Sequence, residues 1–563
     1  MINTRFIYQN FKKFLRFHRP KLILIYVLTV FLAFSQGFGF LMLIPLLGLL
    51  EINHQAPQND LIQTWFYSLA ERINISVSFE TILIFYVLIL SILFLLQNRK
   101  AIIQSAYQHQ YSGYVRKELY RKVLFSDWAI LNRISKAQHI QSLTSEIPKA
   151  THFYFYLLNA STKVIIFSIH IILAFLVSYE LTLIVLISGF LQFFLLSKFF
   201  KKSYYLGKKG RTTFRRVLKN IDDFWITIKP AKIHNTEDYY FEQFAKADDN
   251  FVNNQVEQYA HNQKPQLLFR LLALFNMVVI IVVAQHFFHT PLALMILLVL
   301  IFSRIFPLFM NIYNDVNQMV LNAESLVNLN KMNFAPHSTP AERKECCDEV
   351  PENEIKIENI CFGYSEQRAI FNEFSARIKA KSITGITGES GSGKTTLIDL
   401  ISGLLFPEKG KIIYDHLEMN RQNVSVLRKK IAYLPQDSLF IDGTIKENLL
   451  WDTTHMISEN EIIEVLKQVN AYHFINEKKL DLNSEIINFK YSFSGGELQR
   501  LALARVLLRK PSLLILDEAS SALDQENEEK IMELLKSMSA SVTIIFVTHK
   551  QSLFQYFDNV IKL

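Results

Sequence analysis

Apolar residues fall first in long unbroken runs and then, past a polar interval, in short alternating ones. Leu22 to Leu50 is almost wholly apolar. At about 1.5 Å per helical residue, a run of that length exceeds the roughly 30 Å hydrocarbon core of a bilayer. Runs of the same kind cover Thr81 to Leu96, Phe155 to Ser178, Leu181 to Phe200, Leu267 to Phe288 and Leu292 to Ile312. A globular core rarely needs so many, so the pattern predicts an all-α transmembrane domain of six helices over 1–330.

The polar positions give that domain a direction. Residues 1–21 contain Arg5, Lys12, Lys13, Arg16, Arg19 and Lys21 and no acid, whereas 51–80 carries Glu51, Asp60, Glu71 and Glu80 against Arg72. Basic stretches recur around Arg116 to Lys122 and Lys201 to Arg216, and the intervening turns Ser178-Tyr179-Glu180 and His289-Thr290-Pro291 are short. By the positive-inside rule both termini and both long hydrophilic loops lie in the cytoplasm. An integral protein of the bacterial inner (cytoplasmic) membrane is the expectation. The net charge of +9 then belongs to membrane edges, and nucleic acid is not an expected partner. Cys346, Cys347 and Cys361 form no C-x-x-C pair, which suits a reducing compartment.

Residues 331–353 lack periodicity, contain Pro336, Pro340 and Pro351, and read as a linker. From 354 to 563 short apolar strands alternate with helical segments, the pattern of an α/β domain. The chain is therefore expected to be multi-domain, with the helical membrane part first and the α/β part second.

The chemistry sits in the second part. Gly388-Glu389-Ser390-Gly391-Ser392-Gly393-Lys394-Thr395-Thr396 follows the strand-like Ser382 to Thr387 and opens a helix. That is a P-loop in its proper setting: glycines let backbone N–H groups curl around phosphates, Lys394 reaches the β and γ phosphates, and Thr395 ligates Mg²⁺. The strand Leu513 to Leu516 delivers Asp517 and Glu518 at its end. Beside a P-loop, two acids ending a buried strand point to a metal contact from Asp517 and a general base for the hydrolytic water in Glu518.

With these motifs together, the chain resembles an ATP-binding-cassette (ABC) transporter of the exporter-type half-transporter arrangement. Phe493-Ser494-Gly495-Gly496-Glu497 is similar to the family signature L-S-G-G-Q, Gln436 to the Q-loop, Ser521-Ala522-Leu523-Asp524 to the D-loop and His549 to the switch histidine. The resemblance implies that ATP and Mg²⁺ are the cofactors. It implies Tyr364 stacking on adenine, Gln436 and His549 joining Glu518 in catalysis, and Gln436 adding to the Mg²⁺ shell. It also implies that Ser494, Gly495, Gly496 and Asp524 contact nucleotide held by a second copy of the chain. Phe493 and Glu497 depart from the family pattern and put the strength of that composite site in question. The segment 484–490 lacks the usual exporter Gly-Glu pattern, so coupling at that contact is expected to differ.

The function so implied is ATP-driven, outward movement of an amphipathic substrate (lipid-linked, peptide or drug-like) by alternating access in a homodimer. An importer on the same fold, or a cassette ATPase without transport, is the alternative. Candidate coupling helices are Asp127 to Leu131 and Asp222 to Trp225, although Trp128 and Trp225 also suit interface anchors. Arg304, Lys163, His170, Asn276 and Asn311 are candidate cargo contacts, because intramembrane polar groups usually face a cavity.

Overall fold

The computed structural model describes residues 4–41, 79–132, 135–287, 292–331, 351–365, 368–451, 453 and 456–563. The acidic stretch through 78, the turn at 289–291 and most of the 331–353 linker lie outside the described residues. Two compact units divide the chain: Met1–Leu124 with Ile134–Phe334, and Phe125–Arg133 with Ala335–Leu563.

The first unit is helical: α1 (Thr4–Phe17), α2 (Arg19–Leu41), α3 (Phe79–Leu124), α5 (Lys136–Gln141), α6 (Ile147–Val177), α7 (Tyr179–Ile233), α8 (Glu237–His286) and α9 (Leu292–Lys331). The short α4 (Trp128–Leu131) lies in the segment assigned to the second unit. One packing cluster joins α6, α7, α8 and α9 through Leu181, Leu196, Phe269, Phe302 and Tyr313. Another sets Phe14 edge-on to Tyr107 and Tyr111, beside Tyr154. Large apolar side chains such as Ile187, Phe190, Leu274 and Phe275 remain exposed on α7 and α8, as they would on a surface solvated by lipid tails.

Among the described residues, four helices are long and apolar enough to cross a membrane, and the pair Asn10–Phe17 and Arg19–Ser35, bent by 83°, passes as a fifth. The sixth expected span lies within α9.

The helices continue well past the expected spans. The expected turn at 178–180 is the single extended residue Ser178, whose Oγ accepts a hydrogen bond from the Leu181 N–H at 3.4 Å and so caps α7. Asp222 to Trp225 does not form a short coupling helix, because α7 runs unbroken to Ile233. The chain turns instead at His234 to Thr236, where Asn235 takes a φ of +51°, the left-handed conformation with which asparagine ends helices.

The second unit holds two main sheets and a short antiparallel pair, β7 (Gly443–Thr444) with β8 (Glu485–Ile486). A four-stranded antiparallel sheet runs in the order β2 (Arg368–Lys379), β1 (Glu354–Ser365), β4 (Lys409–Tyr414), β5 (Leu417–Glu418). A five-stranded parallel sheet runs in the order β11 (Asn559–Lys562), β3 (Ile383–Thr387), β10 (Thr543–Val547), β9 (Leu513–Asp517), β6 (Ile431–Leu434). β3, β9 and β10 are buried along nearly their whole length, which explains their continuous apolar runs.

Candidate functional site

In open parallel sheets ligands gather at the carboxyl ends of the strands. β3 ends at Thr387 and passes into the P-loop, β9 ends at Asp517, and β10 ends two residues before His549. β10 lies between the other two, with Val547 in register with Ile386 on one side and with Asp517 on the other. Sheet pairing thus brings together motifs some 160 residues apart in sequence.

The loop itself is built around left-handed glycines. Gly391 and Gly393 have φ of +85° and +100°, and a Cβ on Gly393 would stand 2.7 Å from Ile370 Cγ2. Lys394 opens the helix Lys394–Ile401 and turns its ammonium onto the carbonyls of Gly388 (3.0 Å) and Glu389 (2.9 Å). Ser392 Oγ is buried with no hydrogen-bond partner among the described residues. An orphaned hydroxyl, an ammonium resting on loop carbonyls and open space beside Gly391 fit an oxyanion ligand such as a nucleotide phosphate. Tyr364 stands close by, its hydroxyl 3.3 Å from Thr396 Oγ1 and its ring largely exposed.

Glu518 lies between two polar partners. Gln436 Nε2 donates to its Oε2 at 2.7 Å, and His549 Nε2 lies 3.4 Å from its Oε1. Its backbone is held in the left-handed region at φ +49°, a conformation that persists only where the surroundings enforce it. Those surroundings are the Glu518 N–H donating to Val547 O at 3.0 Å and Gln499 Nε2 donating to Glu518 O at 3.2 Å. Next to it, Asp517 accepts from the Tyr433 hydroxyl at 3.3 Å, and burial holds its carboxyl above the ordinary value. Among the described residues no three His, Cys, Asp or Glu side chains converge as a metal cage. A Mg²⁺ ion suits such a site, since it is ordinarily held by one or two protein oxygens with phosphates and water. Thr395, Gln436 and Asp517 are the residues available to it.

The signature segment resolves both of its departures in local terms. Phe493 is buried and stacks on Phe489 with centroids 5.7 Å apart, so the larger ring fills core. Glu497 folds back as half of a capping box: its Oε2 accepts from the Ser494 N–H at 2.7 Å while Ser494 Oγ accepts from the Glu497 N–H at 3.4 Å. Lys478 lies 3.5 Å from that carboxylate. A Cβ on Gly496 would come within 3.0 Å of Ala522 O, so a glycine allows the signature helix its close approach to the D-loop. Asp524 caps the following helix, accepting from the Asn527 N–H at 2.9 Å.

Four features escaped the sequence reading. Gln499 is buried and links Glu518 O to the Ala522 N–H. Arg505, also buried, donates to Asn448 O at 2.7 Å and Leu439 O at 2.8 Å, tying the signature helix to the chain beyond Gln436. Tyr433 and Ser392 join the site as described above. The Gln-Arg pair after the signature was the available signal for Gln499; nothing local marked the others.

A family model described as ABC transporter matches residues 371–521. The heterocyst differentiation ATP-binding protein HepA of Nostoc sp. (strain PCC 7120 / SAG 25.82 / UTEX 2576) is 27% identical over 75% of this chain and 69% of its own length. The ATP-dependent lipid A-core flippase of Francisella novicida is 33% identical over 39% of this chain and 38% of that protein. A putative export ATP-binding/permease protein of Rickettsia bellii is 34% identical over 40% and 39%. The flippase and permease matches therefore span well under half of those proteins. A solved structure of a bacterial Atm1-family ABC exporter with ATP bound superposes with a TM-score of 0.78 at 20% identity, covering 98% of this chain and 94% of that one, a likeness of fold.

Proposed function

For a chain that carries an ABC transporter domain on an ABC exporter fold, we propose ATP-driven outward transport of an amphipathic substrate by a homodimer in the bacterial inner membrane, with both termini cytoplasmic. The observation that carries this reading is the convergence of Gln436, Glu518 and His549 beside the P-loop. ATP is bound at 388–396 with Mg²⁺ held through Thr395, Asp517 and Gln436. Glu518 serves as the base toward the attacking water, and Lys394 and His549 meet the γ-phosphate. Tyr364 stacks on the base. Ser494, Gly495, Gly496 and Asp524 reach nucleotide on the partner copy. When bound, the metal-nucleotide supplies the scissile phosphoanhydride; the protein supplies position and charge.

The cargo reading rests on a polar cluster inside the helical unit. Lys163 on α6 donates to Asp315 Oδ2 on α9 at 2.7 Å, which holds it beside an acidic partner. Lys100 on α3 lies within electrostatic reach of Lys163 and has no hydrogen-bond or ion-pair partner among the described residues. Gln104 donates to Asn159 beside them. Two lysines against one carboxylate leave a positive balance, which favours an anionic headgroup. Lys100 lies about 32 Å along α3 from Phe79, the depth of the inner leaflet if Phe79 marks the outer edge. Of the other candidates, His170 is buried within electrostatic reach of Arg304, Asn311 is exposed, and the Asn276 amide nitrogen is buried with no partner among the described residues.

Reconstitution tests the reading. Purified protein in proteoliposomes is expected to hydrolyse ATP only with Mg²⁺, and faster when phosphorylated or carboxylated amphiphiles are added than with neutral ones. Hydrolysis indifferent to every amphiphile would refute the cargo assignment, and absence of hydrolysis would refute the function.

A further inference from the structure

Glu518 leaves the buried strand β9 with a φ of +49°, a backbone conformation that side-chain-bearing residues rarely adopt. That angle decides where the carboxylate points. The direction of Cβ follows from the backbone, so relaxation to an extended or right-handed conformation would carry the carboxylate off Gln436 and His549. Both peptide groups beside the Glu518 Cα are held. The N–H donates to Val547 O, on the fully buried β10, at 3.0 Å. The carbonyl accepts twice, from the Ser521 N–H at 3.1 Å and from Gln499 Nε2 at 3.2 Å.

The Ser521 bond only closes the local turn, whereas Gln499 grips it from outside. Gln499 lies on the signature helix Gly495–Leu508 and is 4% exposed, so its side chain has a fixed place. Its Oε1 accepts from the Ala522 N–H at 3.1 Å. The orientation of the amide is set by chemistry, since a carbonyl can only accept and an N–H can only donate. One buried side chain therefore spans 518–522, from the base to the D-loop. One turn earlier on the same helix, a Cβ on Gly496 would come within 3.0 Å of Ala522 O, so helix and turn already touch.

We infer that Gln499 is a positioning residue for hydrolysis, its Nε2 hydrogen bond holding the left-handed backbone that aims Glu518. In that step Glu518 takes the proton of the water whose oxygen bonds the γ-phosphorus, while the bridging oxygen leaves with ADP. Without the Gln499 donor the carbonyl keeps only the bond of its own turn, and the backbone relaxes. Nucleotide binding does not draw on the aim of the base, so the loss falls on turnover. The inference rests on the reading of Glu518 as the base and adds the residue that directs it.

The test uses the full chain in nanodiscs with Mg·ATP. Gln499→Met, of similar length and with no amide, is expected to lower kcat about thirtyfold while KM stays within about threefold. In a Glu518→Gln background, where no base is left to aim, the same replacement is expected to change the residual single-turnover rate by less than about threefold. Gln499→Glu gives a second measurement, because it keeps the acceptor for Ala522 and carries a donor hydrogen only when protonated. Its kcat, divided by that of the wild type at each pH, is expected to rise as pH falls from 9 to 6. An unchanged kcat in Gln499→Met, a further thirtyfold loss in the Glu518→Gln background, or a constant ratio for Gln499→Glu overturns the inference alone. A wild-type chain without Mg²⁺-dependent hydrolysis, or full turnover in Glu518→Gln, overturns the functional reading beneath it as well.

Discussion

Gln436 holds Glu518 by a 2.7 Å hydrogen bond from Nε2 to Oε2, between residues that are 82 apart in sequence. With His549 on the other carboxylate oxygen, Glu518 is oriented before any substrate arrives, the preorganisation a general base requires. Glu518→Gln keeps the size and removes the basicity. We expect Mg²⁺-dependent ATPase activity to fall by about a hundredfold or more, with nucleotide affinity retained. Steady-state phosphate release and equilibrium binding on the same preparation check this; a variant with wild-type turnover removes Glu518 from the role.

The Lys163–Asp315 pair predicts an asymmetric mutational response. The Asp315 side chain is only 7% exposed and that of Lys163 29%, so removing one partner strands the other away from water. Asp315→Ala is expected to destabilise the helical unit by about 3 kcal/mol, and Lys163→Met with Asp315→Leu to recover most of that loss. Thermal unfolding in matched detergent distinguishes the two; equal damage from the single and double variants would show that the pair is not the stabilising contact.

Asp399 makes the stability of the nucleotide unit depend on pH. Burial, reinforced by the charge of Asp517 and opposed by the Trp128 hydrogen bond, pushes its carboxyl from an ordinary 3.8 up to about 6. A raised carboxyl favours the protonated form in the fold, so its contribution is complete below the unfolded value and is lost as pH rises through about 6. Asp399→Asn removes that dependence. The variant should gain on the wild type by about 1–2 kcal/mol at pH 8, after allowance for solvent screening, about half as much at pH 5, and almost nothing near pH 3. Unfolding temperatures at these pH values decide it, a constant difference counting against the assignment.

At the signature, the capping box predicts which substitution is tolerated. Glu497→Gln keeps an acceptor for the Ser494 N–H and should alter stability little, whereas Glu497→Ala should cost about 1 kcal/mol. Denaturant titration of the two variants measures the gap.

How legible was this in the sequence? Motifs confined to a few consecutive residues were readable because their chemistry is local: the P-loop needs its glycines and Lys394 side by side, and Asp517 and Glu518 end one strand. Contacts made by folding were not. Nothing near Trp128 announces Asp399, which lies 271 positions later, and Gln499 shows its function only once it reaches Glu518 O. The second coupling segment was misplaced because the acids and aromatics of Asp222 to Trp225 resemble an interruption. The actual break is the left-handed Asn235, a weaker signal than proline or glycine. Pro230 and Pro265, which would ordinarily argue for helix ends, lie inside α7 and α8.

α7 contains 55 residues and α8 contains 50. At about 1.5 Å per residue the longer one measures about 80 Å, so tilting it by about 5° sweeps its far end through about 7 Å. A lever of that length trades force for distance. Ångström-scale rearrangement at one extremity becomes, at the other, a displacement wide enough to open or shut a passage for a molecule.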